Sequence, residues 1–370
     1  MTESSEAADP ATTSGALDTN VAVVQRLSVL DRFLPVWIGV AMFLGIGLGR
    51  VFPDLNDTLD RIKVDTVSLP IALGLLLMMY PVLAKVRYGD LGHVTADRRL
   101  LGTSLFLNWV VGPALMFALA WVFLPDLPEY RTGLIIVGLA RCIAMVLIWN
   151  DLADGDREAA VVLVALNSLF QIAAYSLLGY FYLETLPGWL GLDQAAIDVS
   201  IWEIGRAVLI FLGIPLAAGY LTRRWGEARR GRAWYEQQFL PRLAPLALWG
   251  LLFTVVVLFA LQGDRITHDP LDVARIAIPL IAYFAIMWSG AFALSMRLHF
   301  GYPRAASVAF TAAGNNFELG IAVAISVFGV TSGQALAGVV GPLIEVPALV
   351  GLVYVALWAR HRFSPQGAPA

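Results

Sequence analysis

Ten mostly apolar stretches succeed one another along the chain, near 33–52, 66–84, 100–124, 131–152, 157–183, 203–222, 241–262, 273–296, 304–329 and 334–359. A helix of about 20 apolar residues crosses the ~30 Å hydrocarbon layer of a bilayer, so each stretch is one span. The connections are too short to hold a folded domain. With 14% charged residues against roughly 25% in soluble proteins, the chain belongs in a membrane. No alternating ten-residue strand pattern occurs, which leaves helices as the spanning element. The expected fold is all-α and polytopic, with ten transmembrane helices.

Charge in the connections sets the expected orientation. Ten spans place both termini on one side. That side collects 17 of the 25 Lys and Arg residues and the other side 6, with Arg141 and Arg206 inside spans. Both termini are therefore expected in the cytoplasm, with Tyr130, Trp189 and Trp202 at the outer interface. Residues 1–30 lack an apolar core for a signal peptide and read as a disordered cytoplasmic tail. Residues 361–370 read as a second cytoplasmic tail.

Arg141 has nine uncharged residues on either side, Thr132 to Ala140 and Cys142 to Asn150. A guanidinium at that depth costs ~3 kcal/mol or more unless it faces a protein-lined polar site. Beside it stands the sole cysteine, Cys142. The ninth stretch carries a comparable disturbance, Gly314-Asn315-Asn316 followed by Glu318, and this is poor helix-forming sequence. Sliding the chain by 173 positions lays Ala140 on Ala313, Cys142 on Asn315 and Met145 on Glu318. Residues 31–184 and 201–360 then read as two five-helix repeats. An odd number of helices per repeat requires opposite insertion, and inverted repeats with interrupted helices in matching places point to a transporter's binding site.

Half-helices starting near Cys142 and Asn316 would direct free N–H groups into a central cavity. The candidate binding residues are Cys142, Arg141, Asn315, Asn316 and Glu318. Glu318 is also the candidate proton carrier. The alternative to a functional Arg141 is a structural ion pair with Glu318 or Glu345 as counter-ion. Asn108, Asn150, Asn167 and Glu345 are candidate supporting groups, while Gln171 reads as interhelical glue. Asn150-Asp151 with Asp154-Gly155-Asp156 reads as a cytoplasmic cap and turn. One cysteine excludes an intramolecular disulfide, a CxxC pair and a four-cysteine zinc site, and the four histidines form no HExxH pair. No metal centre or cofactor is expected, and no basic patch suits nucleic acid.

Four segments carry a family resemblance: LNWVVGPALMFALAWVFLP (107–125), GLARCIAMVLIWNDLADGD (138–156), FTAAGNNFELGIAVAISVFG (310–329) and GVVGPLIEVPALVGLVYVALW (338–358). Together they resemble the arsenite efflux permeases of the bile acid/arsenite/riboflavin transporter superfamily. The resemblance covers residues 31–360 and implies two inverted five-helix repeats arranged as a panel and a core, with the broken fourth and ninth helices crossing in the core. It implies extrusion of trivalent arsenic, sometimes antimonite, driven by the proton gradient. The family's functional cysteine and glutamate match Cys142 and Glu318.

The expected function is accordingly proton-coupled export of arsenite, and of antimonite in some members, by alternating access across the cell membrane. The alternative is a sodium-coupled organic-anion carrier of the bile acid type, in which Arg141 would hold a carboxylate and Asn315, Asn316 and Glu318 would hold Na⁺. An intramembrane enzyme is not expected, because Cys142 has no histidine at its depth. The expected partners are arsenite or antimonite, protons and lipid.

Overall fold

Proline positions shape the long helices. A proline inside a helix offers no N–H, and its ring crowds the carbonyl four residues earlier. A computed structural model, describing residues 33–52, 55, 63–64, 67–86, 97–143, 145–192, 200–268 and 270–363, shows how the helices absorb this. Leu107–Val111, Phe181–Thr185, Leu209–Gly213 and Tyr235–Phe239 each widen into a π-turn, and each stands just before a proline: Pro113, Pro187, Pro215 or Pro241. The residue ahead of the proline donates its N–H five residues back, as Gly112 does to Leu107 and Ile214 to Leu209. The helix thus continues through a residue that would otherwise end it.

The elements in order are α1 (Leu34–Val51), a short hairpin of β1 (Lys63–Val64) and β2 (Val67–Ser68), α2 (Leu69–Ala84) and α3 (Arg98–Phe123). Next come α4 (Pro128–Leu139), α5 (Met145–Leu152), α6 (Arg157–Trp189), α7 (Ile201–Arg230) and α8 (Arg232–Gly263). The chain continues through α9 (Pro270–Arg297), α10 (Tyr302–Ala313), α11 (Phe317–Phe328) and α12 (Gly333–Phe363). Six of these, α3, α6, α7, α8, α9 and α12, are long and apolar enough to cross a membrane, and α1, α2 and α11 hold shorter apolar segments. The chain is a multi-pass helical membrane protein. The β1–β2 hairpin departs from the all-helix expectation but is confined to the connection ahead of α2. The expected tails, 1–30 and 361–370, lie outside the described residues except for 361–363.

The helices pack as two groups. In one, α8 lies along α1 and α2, and the 214–230 part of α7 also packs on α2. In the other, α4 meets α3, α11 and α12, while α9 meets α3, α10 and α12. Helix α7 belongs to both: its first turns, Ile201–Val208, pack on α6 and α11 before the π-turn at 209–213.

Two residues read as interfacial or connecting are covered by protein. Tyr130 is buried against the second group, whereas Trp189 and Trp202 are exposed. Arg131 is also buried. Its guanidinium lies 3.7 Å over the Trp121 ring, and it donates to the carbonyls of Leu124 at 3.3 Å and Pro125 at 2.8 Å. Its stem is apolar and its head faces carbonyls and a ring, so the charge is tolerated inside.

The α3–α4 connection is tied to α9 by a forked ion pair. Arg275 donates to the two Asp126 carboxylate oxygens at 2.6 and 2.8 Å. The guanidinium hydrogen bond holds the Asp126 carboxyl down at about 2, from an ordinary 3.8. A lowered carboxylate favours the folded form above its ordinary value, and that contribution fades as pH falls through about 2. Arg275→Gln should return the Asp126 midpoint to the ordinary carboxylate range in a ¹³C-carboxyl NMR titration. An unmoved midpoint would show that the pair does not form in solution.

Candidate functional site

The two interruptions occur where helix-poor sequence meets in space. Helix α4 ends at Leu139 and α5 begins at Met145, while α10 ends at Ala313 and α11 begins at Phe317. The extended residues between them cross and bond through backbone. The Cys142 N–H donates to the Gly314 carbonyl at 3.2 Å, and the Asn316 N–H donates to the Ala140 carbonyl at 3.0 Å. These bonds flank an antiparallel bridge between Arg141 and Asn315. Each break thereby satisfies the polar backbone of the other, as buried non-helical chain at membrane depth must.

The helices that lead into the two breaks match in length. Helices α4 and α10 are both twelve residues long, and both their first and last residues lie 174 positions apart. The sliding by 173 lies between this offset and the 172 positions that separate the first residues of α5 and α11, Met145 and Phe317.

Around the crossing, Arg141 is fully buried, and Nη1 donates to the Tyr283 hydroxyl at 2.8 Å and to the Ala312 carbonyl at 3.3 Å. The Arg141 backbone N–H donates to Oε1 of Gln171. The Cys142 thiol lies against the N–H groups of Met145 and Val146 at the start of α5, with the Glu318 and Glu345 carboxylates within electrostatic range. The Asn316 side chain caps α11 by accepting the Leu319 N–H at 3.0 Å. Glu318, in the first turn of α11, is partly exposed, whereas Glu345 of α12 is buried and accepts the Asn315 N–H at 3.4 Å. Among the described residues, Nε and Nη2 of Arg141, both amide atoms of Asn315 and Nε2 of Gln171 have no hydrogen-bond partner. Buried polar atoms left so are costly unless something else meets them. They form a set of donors and one acceptor beside a thiol and two carboxylates.

Comparison with known proteins bears on what such a crossing belongs to. The profile of the sodium bile acid symporter family matches residues 72–269. The chain is 58% identical over 341 residues to the arsenical-resistance protein Acr3 of Corynebacterium glutamicum, covering 92% of each chain. The chain belongs to the arsenite efflux permease family. It is also 31% identical over 353 residues to Acr3 of Alkaliphilus metalliredigens, covering 91% of this chain and 95% of that one. An uncharacterized transporter of Synechocystis is 36% identical over 348 residues, covering 89% of this chain and 88% of that one.

Within this permease-family chain, five of the expected site residues, Arg141, Cys142, Asn315, Asn316 and Glu318, meet at the crossing together with Glu345. Others sit elsewhere. Asn108 lies in the first π-turn, and its Nδ2 donates to the Ser104 carbonyl at 2.8 Å. Asn167 accepts from Trp109 Nε1 at 3.1 Å, linking α6 to α3. Asn150 accepts from the Ser307 hydroxyl at 2.7 Å, and its carbonyl accepts from Gly155, as a cap and turn requires. The alternative reading of Arg141, a structural ion pair, is not what the structure shows: no carboxylate lies within 4.0 Å of it among the described residues. The guanidinium is held instead by a hydroxyl and a carbonyl on neighbouring helices, which share its charge without a second buried ion.

Sequence reading missed Tyr283 and gave Gln171 too small a place. A tyrosine in an apolar run of α9 carries no signal by itself. Gln171 stands four residues after Asn167, a spacing that marks a shared helix face but not its target. A glycine matters on each side of the crossing. A Cβ on Gly112 would fall 2.8 Å from Arg141 Nη1 and 3.1 Å from the Tyr283 hydroxyl, so only glycine leaves that space. A Cβ on Gly314 would stand 2.8 Å from the Cys142 Cβ. Gly314→Ala should destabilise the protein by about 1–3 kcal/mol, as overpacking does. Gly102→Ala, with nothing within 4 Å, should not destabilise it. Thermal unfolding of both variants in detergent measures the contrast, and equal melting points would show that the crossing is looser than described.

Proposed function

We propose that the chain exports trivalent arsenic from the cytoplasm in exchange for protons, by alternating access around the α4/α5–α10/α11 crossing. The observation that carries this reading is the buried thiol of Cys142 at a backbone crossing, next to Arg141 and Asn315 with their unpartnered polar atoms and to Glu345, which accepts the Asn315 N–H. The relatives named arsenical-resistance protein support the same cargo. In the full reading, ten spans form two inverted repeats, 31–184 and 201–360. Helices α4 and α5 together make the fourth span, and α10 and α11 the ninth. The group built on α1, α2 and α8 is the panel and the other group is the core. The equal lengths and common offset of α4 and α10 support that symmetry. The 17 to 6 split of basic residues supports cytoplasmic termini.

At neutral pH trivalent arsenic is mostly an uncharged trihydroxide and is thiophilic. Its arsenic centre meets the Cys142 sulfur, either in contact or by exchange. In the exchange, an S–As bond forms, an As–O bond breaks, and the thiol proton leaves with the hydroxyl as water. The unpartnered donors of Arg141, Asn315 and Gln171 orient the remaining hydroxyls. A single thiol selects arsenic yet releases it, as a transport site must. Glu318 exchanges the proton: a proton arriving from outside and cargo arriving from inside compete for one site, and rocking of the two helix groups exposes it to each side in turn.

Everted vesicles test this. Arsenite uptake should follow an imposed pH gradient in sodium-free buffer. Strict dependence on sodium, as in an organic-anion symporter, would overturn the proposal.

A further inference from the structure

The corner between α7 and α8 concentrates six arginines, Arg223, Arg224, Arg229, Arg230, Arg232 and Arg242, against two acids, Glu227 and Glu236. Folding sorts them into two classes. Arg223 is buried and structural: it bonds Glu227 at 2.7 Å, lies 3.6 Å from Glu236 and donates to the carbonyls of Ala84 at 3.3 Å and Lys85 at 3.0 Å. Arg232 donates to Glu236 at 3.1 Å. Both carboxylates are thereby engaged inside the corner. Arg224, Arg229, Arg230 and Arg242 are exposed, and no carboxylate of the described residues lies within 4.0 Å of them.

Three of these arginines are interleaved with aromatic rings. Arg229 lies 4.2 Å over Trp225 and Arg230 lies 4.6 Å over Trp234, while Arg224 donates to the Tyr220 hydroxyl at 3.2 Å. Trp225 is 60% exposed, one turn beyond Leu221 at 62%. The exposed face thus passes from apolar, through amphipathic rings, to guanidinium. Helix α7 has 30 residues, about 45 Å of rise against ~30 Å of hydrocarbon. Its last turns therefore reach the depth of lipid headgroups. Tryptophan and arginine in that order match the layers of a bilayer surface.

We propose that the α7–α8 corner binds the phosphate headgroups of anionic phospholipids, with Arg224, Arg229 and Arg230 as its ligands and Trp225 and Trp234 seated at the acyl boundary. The inference rests on the membrane placement of the chain and is independent of its cargo. Guanidinium pairs with phosphate through forked hydrogen bonds, and stacking on indole holds the fork in place.

The test uses full-length protein purified from mixed phosphatidylglycerol and phosphatidylcholine, with retained lipids counted by native mass spectrometry. The wild type should keep phosphatidylglycerol in preference to phosphatidylcholine. The triple variant Arg224→Gln, Arg229→Gln, Arg230→Gln should weaken that preference by about 100-fold, and Arg50→Gln, a charge lost from α1, should not weaken it. If the triple variant does not yield folded protein, Arg229→Gln and Arg230→Gln singly should each weaken it by about fivefold. Retention unchanged in these variants, or equally reduced by Arg50→Gln, would overturn the site. So would displacement of the lipid by inorganic phosphate at equal concentration, which would make the corner a site for free phosphate.

Discussion

Cys142→Ser is expected to abolish arsenite export, lowering the initial rate of uptake into everted vesicles by about 100-fold or more, while the protein still inserts and folds. The structural cost is small for a stated reason. Serine keeps the Cβ of cysteine and is slightly smaller at its terminal atom, so the packing against Gly314 is not tightened. Its hydroxyl can accept from the same Met145 and Val146 N–H groups that now face the thiol. A buried hydroxyl that keeps its partners changes stability by about 1 kcal/mol. What serine removes is the soft sulfur that distinguishes arsenic from other small hydroxylated solutes. Loss of activity with an unchanged melting temperature assigns the sulfur to transport. Full activity in the serine variant would take the thiol out of the mechanism. Protection of Cys142 from a thiol reagent by arsenite, measured on the wild type, probes the same contact.

Glu318→Gln has the second large effect. Glutamine keeps the length and hydrogen-bonding reach of glutamate but cannot carry a proton or a negative charge. The variant should still let arsenite move down its own gradient but should no longer accumulate it against one when a pH gradient is imposed. Glu345 is the comparison. It is buried and accepts the Asn315 N–H, so Glu345→Gln disturbs the crossing's backbone as well as its charge. A stability change should accompany Glu345→Gln and be absent from Glu318→Gln. Pumping with an unaltered pH dependence in Glu318→Gln would refute the proton role of that carboxylate.

Much of this molecule could be read from the chain because the membrane leaves few choices. Apolar stretches such as 100–124 and 157–183 coincide with α3 and α6 to within a few residues, since burial in hydrocarbon demands an unbroken helix of that length. The breaks at Arg141-Cys142 and Gly314-Asn315 were legible for the converse reason: a charge in one stretch, and a glycine followed by two asparagines in the other, are poor helix-forming sequence at membrane depth. Residues whose importance lies in a partner were not legible. Nothing in the letters around Tyr283 tells of a guanidinium from α4's end, and Arg141 itself invited pairing with an acid that tertiary packing did not supply. Tyr130 and Arg131, at the beginning of a span by sequence, are buried because α12 and Trp121 cover them.

By itself, then, the sequence determined the helical class, the long apolar helices such as α3 and α6, and the two places where the helix fails, because desolvation of the backbone and of charge acts on each stretch separately. Tertiary structure alone decided that the two failures meet, in a register of 174, with Cys142 against Gly314 and Arg141 held by Tyr283 and Ala312. That outcome depends on hydrogen bonds between segments far apart in the chain, which local pattern does not encode.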